Sequence, residues 1–378
     1  MIPPGKWNLL ESILRPLRKS QKKTVILVVQ AMACLAQAAS IPIAAFLSQA
    51  TGCQIDSALT RFYRLLHNPR LDDLLITKQL VSQLLLSPGP FLIALDWTEW
   101  HPPWRMLLAS VSVGTRAIPV QAAVFSRTQI LRSQNTWENN FLKVLCLLLD
   151  ELGTSACFLA DRGFRRVSFL QLLLGYRNHT FLVRMQDQVM VETPKFKRLL
   201  KKCQLQPGHA IDLGWVRLRQ DGAVQVRLIG LWAKGQKEPW WLATNREDSL
   251  SFLASLYDRR MSIEEQIRDS KGARFGFQLI WTQIQTPEAL ARFTLLIGLT
   301  LLILTAIGHA VASRCPEVRL SSKKKGPRLS LITVGCLFLF SFFDTQCLSQ
   351  TFLKSNLPPP TLRSFAWLEK IKKEGKPK

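Results

Sequence analysis

Apolar positions recur at helical spacing from the N-terminus to about Pro88, so this region is predicted to be all helical. Within it, Ile43–Gln49 is followed by a Thr51-Gly52 turn signal and a second helical run from Asp56 to Leu66, with Asp56 as the expected N-cap. Arg61 and Arg64 share one face of that second run, with Leu59, Phe62, Leu65 and Leu66 available to pack behind. Helix, tight turn and basic second helix is the outline of a helix-turn-helix DNA reader, and equally of a plain helical bundle.

A Ser-Pro-Gly-Pro break at Ser87–Pro90 changes the pattern. Phe91–Asp96 is a continuous apolar run ending in a carboxylate, as expected of a strand buried on both faces. Arg105–Gly114 and Ala117–Ser126 flank a Gly-Thr turn and predict a hairpin. A helix over Thr136–Leu152 leads to Cys157–Asp161, a second apolar strand closing on a carboxylate, then to a helix at Arg166–Leu174 and a strand at Thr180–Met185. This alternation predicts an α/β fold, a mixed sheet flanked by helices. From about 186 to 248 short β-rich stretches (His209–Arg219, Val224–Trp232, Trp240–Thr244) predict an inserted β subdomain. Helical spacing resumes at Ser249, turns at Lys271–Gly276 and continues through a long apolar helix after Pro287. A further apolar segment spans Leu329–Phe343, and the tail is Pro-rich, then basic.

Composition narrows the function. The 378 residues are 47% hydrophobic, which excludes a disordered chain, and 50 Lys+Arg against 26 Asp+Glu leave a net charge of +24. A surplus this large points to a polyanionic partner, nucleic acid first, with a ribosomal scaffold or anionic lipid as alternatives. The eight cysteines show no C-x-x-C spacing and only five histidines accompany them, so neither a zinc site nor a disulfide framework is expected. Basic residues from Arg15 to Lys23 precede Thr24–Val29, a run too short to cross a membrane. Phe293–Ala312 carries no Asp, Glu, Lys or Arg; it is a membrane-helix candidate by hydropathy, or else a helix buried on all sides.

The candidate chemistry lies in three segments. A carboxylate at the end of a buried strand is costly unless it is paired or binds a cation, and Asp96 and Asp161 both close apolar strands. If those strands lie side by side and parallel, the two acids meet at one edge of the sheet, where open α/β sheets place their ligands. The third segment, Tyr257 to Lys271, contains Y-x2-R-x3-E-x6-K. At helical spacing Tyr257, Arg260, Glu264, Arg268 and Lys271 share a face, whereas Glu265 points aside. Ser262 with Glu265 also reads as a capping box, which would start a new helix and bend Tyr257 and Arg260 out of register.

The complete Tyr257, Arg260, Glu264 and Lys271 spacing, with Asp96 in an ALDWT strand and Asp161 in an ADRGF segment, resembles the DDE transposases of the bacterial insertion-sequence family four. The resemblance spans roughly residues 91 to 312. It implies an RNase H-like catalytic domain over 89–345, interrupted by the insertion, between an N-terminal helical DNA-binding domain (1–88) and a basic tail (346–378). It further implies that Asp96, Asp161 and Glu264 hold two Mg²⁺ ions, replaceable by Mn²⁺, with Asp96 bridging. Arg260, Lys271, Arg268 and Arg162 would hold phosphates, Tyr257 would contact the DNA backbone, and Trp240 or Trp241 would stack on a base flipped during hairpin formation. For Arg162 a plain salt bridge is an equal alternative. The expected partners are double-stranded DNA (transposon terminal inverted repeats and target DNA) and a second copy of the chain. The expected setting is the bacterial cytoplasm near the nucleoid, without a membrane. The alternative is a catalytically lapsed, transposase-derived DNA-binding protein.

Overall fold

Runs of β-branched, apolar and aromatic residues between positions 92 and 244 assemble, in a computed structural model of the chain, into one mixed sheet. The structure describes residues 5–85, 91–101, 104–113, 116–219, 222–271, 282–314 and 329–344. Strands β1 (Leu92–His101), β2 (Trp104–Val113) and β3 (Arg116–Ser126) form an antiparallel meander. Next to β1, β4 (Cys157–Ala160) and β5 (Thr180–Met185) add in parallel. The remaining strands are β6 (Met190–Glu192), β7 (Lys197–Leu199), β8 (Ala210–Arg219), β9 (Ala223–Leu231) and β10 (Trp240–Thr244). Among the described residues the order across the 10-stranded sheet is β3-β2-β1-β4-β5-β10-β9-β8-β6-β7. The β-rich stretch from 186 to 248 therefore does not form a sheet of its own; through β10 it continues the sheet from β5 outward.

Two expected boundaries shift. β1 does not end at Asp96. Its pairing with β4 stops at Leu95↔Ala160, but it runs on to His101 against β2, because Trp97 and Thr98 are strand formers with partners across the meander. The helix expected over Thr136–Leu152 is present, and a further helical stretch from Arg127 precedes it across a kink at Ser133 (φ −152°, ψ 24°), the two together making α6 (Arg127–Glu151). A capping box starts it: the Ser126 hydroxyl accepts from the Gln129 backbone N–H at 3.3 Å, and the Gln129 side chain accepts from the Ser126 N–H at 2.8 Å.

Helices α1 (Gly5–Ile13), α2 (Lys19–Leu35), α3 (Ser40–Thr51), α4 (Ile55–Leu66) and α5 (Asp73–Leu84) precede the sheet, and α7 (Val167–Gly175) joins β4 to β5. After the last strand come α8 (Leu250–Asp258), α9 (Met261–Lys271), α10 (Pro287–Arg314) and α11 (Leu331–Asp344). α10 is the apolar helix of the sequence, long and apolar enough to cross a membrane, and 67% of its most apolar window is buried within the protein. It lies against β3 on one side and against α2, α4 and α11 on others. Phe293 meets Phe62 of α4 edge to face at 5.6 Å. Arg292, almost fully buried, makes a two-pronged pair with Asp73 at 2.7 and 2.9 Å and donates to the Leu66 carbonyl. The Tyr63 hydroxyl donates to the Thr282 carbonyl at 2.8 Å, and Thr77 of α5 donates to the Val120 carbonyl of β3 at 2.8 Å. The N-terminal helices and the sheet thus share one hydrophobic core.

The contact of α10 with β3 needs a glycine. A Cβ on Gly298 would stand 2.2 Å from the Pro119 carbonyl oxygen, a backbone atom that cannot step aside. Gly298→Ala is expected to lower stability by about 1–3 kcal/mol, the usual cost of overpacking a core. Urea denaturation of the two proteins measures it, and an unchanged midpoint would show that α10 can slide away from β3.

Candidate active site

The parallel pairing of β1 with β4 places two acids together. Leu95 lies opposite Ala160, so Asp96 and Asp161 follow at the next position of each chain. Burial first, and then the negative charge of Asp161, push the Asp96 carboxyl up from its ordinary 3.8 to about 6. Arg260 and the Trp97 backbone N–H oppose this, and Glu264 adds a smaller upward push. Asp161 caps the short 3-10 turn Arg162–Phe164, its Oδ1 accepting from the Gly163 N–H at 2.8 Å. Glycine at 163 permits that turn, because a Cβ there would come within 2.9 Å of the same oxygen.

The Tyr257–Lys271 segment crosses this edge as two helices. α8 ends at Asp258, Arg259 and Arg260 form the joint, and α9 starts at Met261. The helix break foreseen at Ser262 is therefore present, but it is not made by a capping box. Ser262 donates to the Arg259 carbonyl at 2.7 Å and meets Ser112 of β2 at 2.8 Å, while Glu265 turns outward to pair with Arg116 of β3. Gln266 accepts from Ser110 at 3.2 Å and ties α9 to β2. Despite the break, Arg260 still reaches Glu264, donating to its Oε1 at 2.6 Å. Glu264 and Glu265 thus face different partners, as the helical spacing requires.

Convergence of the three carboxylates is incomplete. Among the described residues no three acidic, histidine or cysteine side chains are gathered closely enough to hold a metal ion. Asp96 and Asp161 form the inner pair; Glu264, half exposed, is engaged by Arg260, which is itself buried. Arg260 Nε is buried and has no hydrogen-bond partner among the described residues, and the same holds for Thr98 Oγ1, two residues along β1 from Asp96.

Other expected contacts are redistributed. Tyr257 does not reach the surface: it is 1% exposed, and its hydroxyl donates to the Ala160 carbonyl at 3.4 Å, underneath the backbone that precedes Asp161. Burial pushes the phenol up to about 12, so it remains a donor at any working pH. Trp241 is also removed from surface work, since its alternating position on β10 turns it into the core. Trp240 is half-buried and meets the Tyr257 ring edge to face at 5.1 Å, on the side of the site. Arg162 is exposed and faces Glu238 at 3.5 Å, and the same Glu238 accepts from Arg184 at 2.8 Å. Arg268 and Lys271 lie on α9, but their side chains fall outside the described residues. On α4, Arg64 is exposed and Arg61 half-buried; α3 and α4 are joined through Gly52 in the left-handed region. Asp56 is not the cap of α4, which begins a residue earlier after Gln54, and it lies instead in the first turn, where its charge suits the helix dipole.

One contributor escaped the sequence pattern. Glu138 of α6 is 1% exposed and gathers three donors: Trp97 Nε1 at 2.7 Å, Gln134 Nε2 at 2.8 Å, and the Arg166 guanidinium as an ion pair. Trp97 follows Asp96, and Arg166 closes the loop that begins at Asp161. A single buried carboxylate therefore ties together the two segments that carry the acids. In the sequence it is one acid in a polar helical stretch, and only its i, i+4 relation to Gln134 is visible there.

The raised Asp96 value makes one contribution to the pH dependence of stability. The native state holds this proton more tightly than the unfolded chain, so this contribution is fully present below about pH 4 and is lost as pH rises through about 6. Asp96→Asn is expected to remove that loss and to raise the melting temperature at neutral pH. Melting curves at pH 5 and pH 7.5 check it; equal pH responses in both proteins would mean that Asp96 is not under this strain.

No protein-family model matches the chain, and no curated protein matches it.

Proposed function

We propose that this chain is a metal-dependent DNA strand-cleaving and strand-joining enzyme, a DDE transposase of the bacterial insertion-sequence family four, built on an RNase H-like core. The observation that carries the reading is the β1–β4 register, which sets Asp96 beside Asp161 with the Tyr-Arg-Glu segment across them. The order β3-β2-β1-β4-β5, a meander extended by two parallel strands, supports the RNase H-like assignment.

The residues fit a hard divalent cation. The donors are carboxylate oxygens, the inner carboxyl is proton-hungry because burial and a like charge raise it, and added positive charge would relieve both effects. Asp96, Asp161 and Glu264 would hold two Mg²⁺ ions, replaceable by Mn²⁺, which supply a nucleophile at neutral pH and countercharge for the leaving oxygen. Glu264 must exchange Arg260 to take part. Arg260, freed from Glu264, is then left at the site with unused N–H donors for a phosphate oxygen. Arg162, Arg268 and Lys271 extend the cationic rim. Tyr257 acts from below, fixing the Ala160 carbonyl and hence the backbone that aims Asp161. Trp240, rather than Trp241, is the aromatic face open to an unstacked base. The substrates are the transposon ends and target duplex, with two copies of the chain acting together in the cytoplasm.

A second reading, a lapsed transposase that only binds DNA, is favoured by the Arg260–Glu264 closure and the absence of a three-ligand group among the described residues. One assay separates them. With Mg²⁺ or Mn²⁺ the protein is expected to nick a labelled duplex carrying an inverted repeat from the DNA flanking its gene. Asp96→Asn, Asp161→Asn and Glu264→Gln should each reduce nicking to background while leaving binding intact. Binding without nicking by the unsubstituted protein would establish the second reading.

A further inference from the structure

The far edge of the sheet carries a concentration of positive charge that the catalytic site does not use. Between positions 195 and 202, five of eight residues are Lys or Arg and none is acidic. Lys195, Lys197, Arg198, Lys201 and Lys202 are all exposed, just before β7, on it and in the 3-10 turn that follows it. The strand register adds Arg217: Lys197 lies opposite Glu192 of β6, and Glu192 lies opposite Arg217 of β8, so the three share one rung and one face. The only carboxylate in this row is already taken, since Glu192 is ion-paired with Arg219 and held below its usual range by that bond. On the next rung Arg198 lies opposite buried Val191 and caps the Phe196 ring at 4.0 Å, which holds its charge at the surface and covers the aromatic.

Six strand steps separate β7 from β4. At the usual strand spacing of about 4.8 Å this is roughly 29 Å, so the cluster is a surface distinct from the Asp96–Asp161 pair. Lysines on an edge strand also discourage edge-to-edge aggregation. That role needs one or two charges on the strand itself. It does not account for Lys201 and Lys202 beyond the strand, or for Arg217 two strands inward.

We propose that the β7 edge of the sheet is a second DNA-contact surface, which binds the phosphate backbone of a duplex without regard to sequence. It rests on the reading of the chain as a DNA enzyme and assigns to this edge the grip on DNA away from the cut. Lysines and an arginine on flat backbone rungs offer point charges and no groove-reading element, so the contact is to phosphates rather than bases. An anionic membrane surface is the other polyanion, and it is disfavoured because the aromatic of the cluster lies under Arg198 instead of projecting.

The test is equilibrium binding of the full chain to a labelled duplex of arbitrary sequence, without divalent cations, over a series of salt concentrations. A variant with Lys197, Arg198, Lys201 and Lys202 all changed to Gln is compared with a control in which Arg127, Lys143, Arg177 and Arg314, exposed and outside both the N-terminal helices and the acid pair, are changed to Gln. Each phosphate contact contributes about 0.9 to the slope of log affinity against log salt, so loss of three contacts should lower that slope by about 2.7. The β7 variant is expected to show this loss, and the control a markedly smaller one. An unchanged slope, an equal loss in the control, aggregation of the β7 variant with undiminished DNA affinity, or, in a parallel assay under the same conditions, binding of the unsubstituted protein to phosphatidylserine vesicles but not to the duplex would each overturn the proposal. Because the assay reads binding without metal, its outcome is independent of whether Asp96 and Asp161 cut DNA. Intact nicking with an unchanged slope would sink the β7 surface alone.

Discussion

A helix that is apolar on all sides must be enclosed on all sides, and α10 imposes this condition on the rest of the molecule. One flank is closed by β3, where Gly298 lets the helix approach the Pro119 backbone, and the others by α2, α4 and α11. Covering α10 from two directions fuses the N-terminal helices to the sheet. The one charge in its buried stretch, Arg292, joins the two parts again through Asp73 and the Leu66 carbonyl. The exposed Arg64 face of α4 and the acid pair on β1 and β4 are consequently held by a common core. In a DNA enzyme this would fix the distance between recognition and cutting.

The site itself is a problem of uncompensated negative charge. Asp96 lies within a strand flanked on both sides, and Asp161 beside it makes ionisation harder still. Arg260 is the internal answer: buried, close to Asp96 electrostatically and bonded to Glu264, it supplies positive charge beside the pair. The same bond keeps Glu264 from joining the inner pair. The backbone beneath is held more firmly. Glu138 binds the flanks of both acids, Tyr257 supports the Ala160 carbonyl, and the Gly163 turn orients Asp161.

Much of this was legible in the chain. Apolar runs closing on Asp96 and Asp161 marked the two strands, the Thr180–Met185 and Trp240–Thr244 strands were read with their observed limits, and Glu264 was separated from Glu265 by helical phase. The features that depart from the local pattern share one cause, which is that they depend on distant partners. Continuation of β1 past Asp96 requires β2, burial of Tyr257 requires β4, and extension of the sheet by the 186–248 segment requires β10 to pair with β5. No local signal in any of these segments names its partner.

Sequence alone determined the kinds of element, the positions of the acids along them and the spacing of tyrosine, arginine and glutamate, because periodicity and steric preference act within a few residues. Only the tertiary structure decided that β1 and β4 run in parallel register, that Trp240 and not Trp241 is open, and that Glu138 ties the two acid-bearing segments together. It also decided that the carboxylates stop short of full convergence, with Glu264 on Arg260. That last outcome depends on how burial, like-charge repulsion and one guanidinium balance at a single point, and a linear pattern of residues does not contain that balance.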